Sequence, residues 1–189
     1  MTPPPPPRSS VRLREYLILL GGSGIVVAVD QWAKYLVRTR LEFGEVWAPI
    51  PAFAGWLRVV HWNNTGAAFG LFPSGGLVFT LIALVVSGAI LYYYPRLPTG
   101  QAPLRIALAL QLGGAIGNLI DRLIQGTVTD FVAVATFPVF NLADASITVG
   151  VAVLAAAIWL EERRGRRSAA VDPLLAPTER AGRNDSPRA

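Results

Sequence analysis

The chain has 189 residues, 52% of them hydrophobic and 15% charged, with a net charge of +5. A soluble domain of this size carries about 25% charged residues, so a water-facing globule is disfavoured and a bilayer is the expected solvent. There is no cysteine, which excludes disulfides, thiolate catalysis and cysteine metal sites, and the single histidine, His61, argues against a histidine-based metal centre.

Residues 1–12, with Pro3 to Pro7 in a row, are expected as a disordered tail with polyproline II character. Arg12 and Arg14 followed by Leu17 to Val29 have the outline of a signal peptide. Asp30 and Lys34, however, stand where a small-residue cleavage site belongs, so the pattern predicts an uncleaved first span at about 13–37. In the following outer region, 38–74, the β-prone run Leu57-Arg58-Val59-Val60-His61-Trp62 lies between Pro49 and Pro51 and the turn signal Asn63-Asn64-Thr65-Gly66. A small sheet at the membrane surface is predicted there.

The second span, about 75–94, is uncharged and closed by Pro95 and Pro98. The third, about 103–123, holds only Arg105 near its start and Asp121-Arg122 near its end. Gly113, Gly114 and Gly117 recur within it at helical spacing, which predicts close helix packing. A second outer region, 124–139, precedes the fourth span at about 140–160, which Glu161-Glu162-Arg163-Arg164-Gly165-Arg166-Arg167 stops. Residues 161–189 are expected as a basic, disordered cytoplasmic tail. Residues 13–160 thus form one membrane domain, mainly α, with four transmembrane helices and a small extracytoplasmic β-sheet.

The basic residues set its orientation. Arg8, Arg12 and Arg14, then Arg96 and Arg105, then Arg163, Arg164, Arg166 and Arg167 flank the same side of the spans. By the positive-inside rule that side, with both termini, is cytoplasmic. Trp32, Trp47, Trp56 and Trp62 then fall at the outer interface, and Tyr92, Tyr93, Tyr94 and Trp159 at the inner one. This clustering explains the positive charge without nucleic-acid binding.

Two aspartates carry the chemical interest. Asp130 lies in Thr127-Val128-Thr129-Asp130-Phe131 and Asp144 in Phe140-Asn141-Leu142-Ala143-Asp144. An ionised carboxylate inside a bilayer costs about 2.5–3.5 kcal/mol on insertion scales. One follows the third span and the other opens the fourth, so they can converge at the outer surface. A close carboxylate pair shares a proton and can both activate water and protonate a leaving amine, as peptide hydrolysis requires. Each aspartate taken alone also suits a helix cap or an arginine partner. Asp30 and Lys34, four apart, fit an ion pair on one helix face. Asn118 and Arg122 share a face likewise, with Asp121 beside them. Arg122 has three candidate partners: Asp121, lipid headgroups or a catalytic carboxylate. Gly21-Gly22-Ser23-Gly24 matches the Gly-x-Ser-Gly string of rhomboid-type proteases, but Ser23 falls in the cytoplasmic half of its span and His61 in the outer loop.

Taken in order, five strings resemble lipoprotein signal peptidase (signal peptidase II). They are Asp30-Gln31-Trp32-Ala33-Lys34, Asn64-Thr65-Gly66-Ala67-Ala68-Phe69-Gly70, the run from Gly113 to Arg122, Val128-Thr129-Asp130-Phe131 and Phe140-Asn141-Leu142-Ala143-Asp144. The resemblance implies a bacterial inner-membrane aspartyl endopeptidase that removes the signal peptide from diacylglyceryl-modified prolipoproteins, just before the lipidated cysteine. It implies Asp130 and Asp144 as the catalytic pair, near the outer face. It puts Asp30, Lys34, Asn64, Gly66, Asn118, Arg122 and Asn141 at positions that support the site or contact substrate, with Asp121 as a supporting residue. No metal or organic cofactor is implied, the partners being lipid-modified precursors and membrane lipids; nothing demands a second subunit, and a monomer is expected. The connection Phe131 to Ala143 is shorter than in many members, and Ala145-Ser146 replaces the more usual Ser-Ala. Two other classes compete: a proton-coupled transporter, which would spread ionisable residues through the membrane depth, and a scaffold, which would tolerate neutral residues at both aspartates.

Overall fold

The computed structural model describes residues 8–66, 75–97 and 101–171. The proline run, Ala67-Ala68-Phe69-Gly70, Pro98 and the tail beyond 171 lie outside the described residues.

Long apolar runs without internal proline form the helices: α1 (Arg8–Arg40), α2 (Gly76–Tyr93), α3 (Ala102–Gln125) and α4 (Leu142–Val171). Four segments within them, Leu13–Arg40, Gly76–Arg96, Ala102–Gln125 and Leu142–Arg164, are long and apolar enough to cross a membrane. Two helices outrun their expected limits. α1 starts at Arg8, inside the segment expected as a tail, and α4 continues past 160 to Val171. Charge does not break a helix: Glu161, Glu162 and the arginines after them are good helix formers once they leave the lipid. α2 ends in a 3-10 turn over Tyr94–Arg96, where Pro95 withdraws a donor.

The chain divides into two compact units at Leu154. In the first unit, Met1–Leu154, α3 is the central helix, more deeply buried than α1 or α2. Leu19, Ile90, Tyr94 and Leu112 form the buried apolar cluster. The three glycines of α3 are where helices touch. A Cβ on Gly113 would lie 2.6 Å from the Val26 Cβ of α1. One on Gly114 would lie 2.7 Å from Ile147 Cγ1 of α4, and one on Gly117 2.7 Å from the Asp30 carboxylate. In the second unit, Ala155–Ala189, the Arg163 guanidinium carbon sits 3.8 Å from the centroid of the Trp159 ring.

The predicted sheet is present and antiparallel, in the order β1 (Val46–Trp47), β2 (Leu57–Asn64), β3 (Val128–Val134). Trp47 and Trp62 within it, Trp56 just before β2 and Trp32 on α1 are all exposed. β2 and β3 pair from Leu57↔Val134 to Asn64↔Val128, with an irregularity between Val59 and Trp62. Val59 faces Val132 and Trp62 faces Asp130, so two β2 residues oppose one of β3, as in a bulge. Asp130 therefore shares a sheet face with Trp62 and stands diagonal to Asn64. No helix occupies the short connection after β3. A turn with Ala135 at φ 46° leads back to Phe140, which pairs with Val132 on the far edge of β3. That pairing sets the start of α4 beside Asp130.

Candidate active site

Asn141 joins the two aspartates. It caps α4: its Oδ1 accepts the Asp144 N–H at 2.9 Å, while Asp144 Oδ2 accepts the Asn141 N–H at 3.3 Å. This reciprocal arrangement is a capping box, in which each side chain satisfies a backbone donor of the other. The remaining Asn141 amide donates to Asp130 Oδ1 at 2.6 Å. Asn64 supplies Asp130 Oδ2 at 2.9 Å and closes its own turn by accepting the Gly66 N–H at 2.9 Å. Asn118 donates to Asp144 Oδ1 at 2.7 Å. All four carboxylate oxygens thus accept an N–H.

A layer of fully buried charge lies beneath. Lys34 Nζ is 2.9 Å from Asp30 Oδ2, the ion pair expected from their spacing, and 3.1 Å from Asp121 Oδ2. It also donates to Asn118 Oδ1 at 2.9 Å. Asp30 Oδ1 accepts the Ala143 N–H and Asp121 Oδ2 the Thr129 N–H. Burial of an ion pair is tolerated only with such additional bonds.

A cavity of about 610 Å³ opens beside the pair. Asn64, Gly66, Asn118, Arg122 and Asp144 give it polar points, and Phe79, Phe137, Val139, Ile147 and Val149 give it an apolar wall. Asp130 stands behind Asn64, only 1% exposed. Burial pushes its carboxyl from the ordinary 3.8 up to about 6, and the Asp144 charge adds to the rise. The Asn64 and Asn141 donors and the Lys34 charge pull the other way. A carboxyl in that range exchanges protons near neutral pH.

Asp130, buried, and Asp144, partly buried and lining the cavity, are thus two carboxylates held by asparagines beside a largely apolar cavity. The family model described as signal peptidase (SPase) II matches residues 23–160. The chain belongs to this family. Signal peptidase II is an aspartic endopeptidase family. A relative from Anoxybacillus flavithermus, a lipoprotein signal peptidase, is 41% identical over 144 residues, covering 74% of this chain and 84% of its own. Another of that name, from Symbiobacterium thermophilum, is 44% identical over 146 residues, covering 75% and 93%. A solved bacterial membrane enzyme superposes with a TM-score of 0.71 at 30% identity, covering 76% of this chain and 88% of that one.

Against the signal peptidase II pattern, the structure gathers Asp30, Lys34, Asn64, Gly66, Asn118, Asp130, Asn141 and Asp144 into one hydrogen-bonded set. Arg122 stands apart. Among the described residues its guanidinium makes no hydrogen bond or ion pair, and it lies over the Phe79 ring with the centroid 5.8 Å away. It lines the cavity instead of pairing with Asp121. Ser23 is buried and donates to the Ala109 carbonyl at 3.1 Å, a helix-to-helix tie. At the Ala145-Ser146 exchange, Ser146 Oγ donates to the Leu142 carbonyl within α4 at 2.8 Å. Two partners escaped sequence reasoning. Gln31 Nε2 bridges Asp30, Asp121 and the Gly117 carbonyl, and Arg38 reaches Asp121 Oδ1 at 3.6 Å and Thr129 Oγ1 at 3.2 Å. Gln31 lies between Asp30 and Lys34 in the first string, which is the one signal that pointed to it.

Proposed function

We propose that Asp130 and Asp144 are the catalytic pair of a membrane aspartyl endopeptidase that removes signal peptides from diacylglyceryl-modified prolipoproteins, cutting just before the lipidated cysteine. The observation that carries this reading is Asn141, which caps the helix of one aspartate and donates to the carboxylate of the other. Near neutral pH the pair holds one proton. The ionised carboxylate takes a proton from water as its oxygen attacks the scissile carbonyl carbon, and the protonated carboxyl supplies the developing alkoxide. The tetrahedral species collapses with a proton delivered to the amine nitrogen. One water is consumed and one C–N bond is broken. Asn64, Asn118 and Asn141 orient the two acids, Lys34, Asp30 and Asp121 fix the elements that carry them, and Gly66 and Arg122 line the substrate's path.

The enzyme works as a monomer in the bacterial inner membrane, with its termini in the cytoplasm and the cavity near the outer face. Clustered arginines at one end of the spans and tryptophans at the other support that orientation. A diacylglyceryl group stays in lipid by about 0.8 kcal/mol per buried CH₂, so it delivers the scissile bond to a cavity at the membrane surface. The purified protein should cut a lipidated precursor and leave its unmodified counterpart intact. Asp130→Asn and Asp144→Asn should each abolish cleavage while the fold persists; near-normal processing by either variant refutes the assignment.

A further inference from the structure

We infer that Lys34 is a positioning residue that sets the separation of the two catalytic aspartates. The inference rests on the reading of Asp130 and Asp144 as the reacting pair. Neither Asp30 nor Asp121 lines the cavity. Each instead binds the backbone N–H of the residue immediately before a catalytic aspartate: Asp30 Oδ1 holds Ala143 at 2.9 Å, and Asp121 Oδ2 holds Thr129 at 3.0 Å. The two elements that bring Asp144 and Asp130 together, the start of α4 and β3, are therefore tied to two carboxylates on α1 and α3.

Lys34 joins those two carboxylates. Its ammonium carries three hydrogens, and three acceptors surround it: Asp30 Oδ2 at 2.9 Å, Asp121 Oδ2 at 3.1 Å and Asn118 Oδ1 at 2.9 Å. The side chains of Lys34, Asp30 and Asp121 are 0% exposed, so no water competes for these bonds. The third bond also sets the Asn118 amide. With Oδ1 facing Lys34, Nδ2 must face Asp144. Gln31 Nε2 spans the same two carboxylates, at 3.2 Å from Asp30 Oδ2 and 3.1 Å from Asp121 Oδ1. The other cations take different positions: Arg38 reaches only the Asp121 side, and Arg122 faces the cavity. Among the described residues, Lys34 alone touches both anchors and the amide that serves Asp144.

The test compares Lys34→Met, the double variant Lys34→Met/Asp30→Asn and Gln31→Leu, purified in detergent. Each is assayed on a diacylglyceryl-modified precursor peptide with kcat and KM resolved, and each is melted. Sub-ångström misplacement of reacting groups is expensive, so Lys34→Met should lower kcat about 100-fold with KM held within about threefold. The double variant restores charge balance and keeps an acceptor for the Ala143 N–H. It should recover the melting temperature and not kcat. Gln31→Leu removes a neutral bridge at a half-buried position and should lower kcat about tenfold at unchanged KM. Wild-type kcat in the double variant overturns the inference, because Lys34 then only balances charge. If Lys34→Met does not fold, the charge-balanced double variant carries the test, with Gln31→Leu as the comparison for losing only the neutral bridge. Asp130→Asn in the same series separates the two readings: cleavage there defeats the catalytic assignment itself, whatever Lys34 does.

Discussion

Replacing Asn141 with alanine removes two functions of one side chain. The lost cap on α4 costs about 1 kcal/mol. The lost donor to Asp130, a bond to a charged acceptor in a buried site, costs about 1.5–3 kcal/mol more, so a destabilisation of about 2.5–4 kcal/mol is expected. The chemical effect is separate. Asp130 loses one of the donors that restrain its carboxyl near 6, so its pKa rises further. The limb of the kcat/KM profile that reports Asp130 should then move to higher pH, and kcat should fall by about 100-fold as the pair loses its bridge. Asn141→Ser divides the two effects. Its hydroxyl can cap α4 and is too short to reach Asp130, so it should recover about 1 kcal/mol of stability and none of the pH profile. The measurements are unfolding in detergent and cleavage of a lipidated precursor from about pH 5 to 8. If Asn141→Ala cleaves at the wild-type rate with an unmoved pH profile, Asn141 does not link the aspartates functionally.

Two further predictions follow from the same geometry. Asp130 binds its proton more tightly in the fold, about 6 against an ordinary 3.8, so its contribution favours the fold fully below pH 3.8 and is lost as pH rises through 6. At about 1.36 kcal/mol per unit, about 3 kcal/mol is at stake; Asp130→Asn should flatten the stability curve between about pH 4 and 6, and parallel curves for the two proteins would contradict a raised pKa. Gly114→Ala drives a methyl into the Ala143 carbonyl and to 2.7 Å from Ile147, at a cost of about 1–3 kcal/mol and a displaced Asp144. Gly21→Ala, on an open helix face, should instead be neutral or slightly stabilising; equal melting temperatures and cleavage rates for the two alanine variants would mean that α4 does not seat on Gly114.

The spans were legible because hydrocarbon tolerates only long apolar helices, and each such run is contiguous in sequence. The β-prone run 57–62 became β2, and the glycines of α3 did mark close packing. Helix limits were less legible. Arg8 and Val171 end helices whose outer turns lie beyond the apolar stretch, where hydropathy stops reporting on the backbone. The Asp30–Lys34 pair followed from a four-residue spacing on one helix. No local spacing relates Lys34 to Asp121, or Gln31 to the Gly117 carbonyl, because those contacts cross between helices.

By itself the sequence determined a four-span chain with two acidic side chains worth the cost of membrane placement, and its ordered motifs implied the family. Tertiary structure alone decided that Arg122 faces a cavity rather than Asp121, that Asn141 connects the aspartates, and that Asp30 and Asp121 each hold the backbone just before one of them. The physical reason is direction. Composition and period fix which residues leave water, but where a buried donor points depends on which acceptor another element brings to it, and unmet hydrogen bonds in an apolar interior are costly enough to select one arrangement.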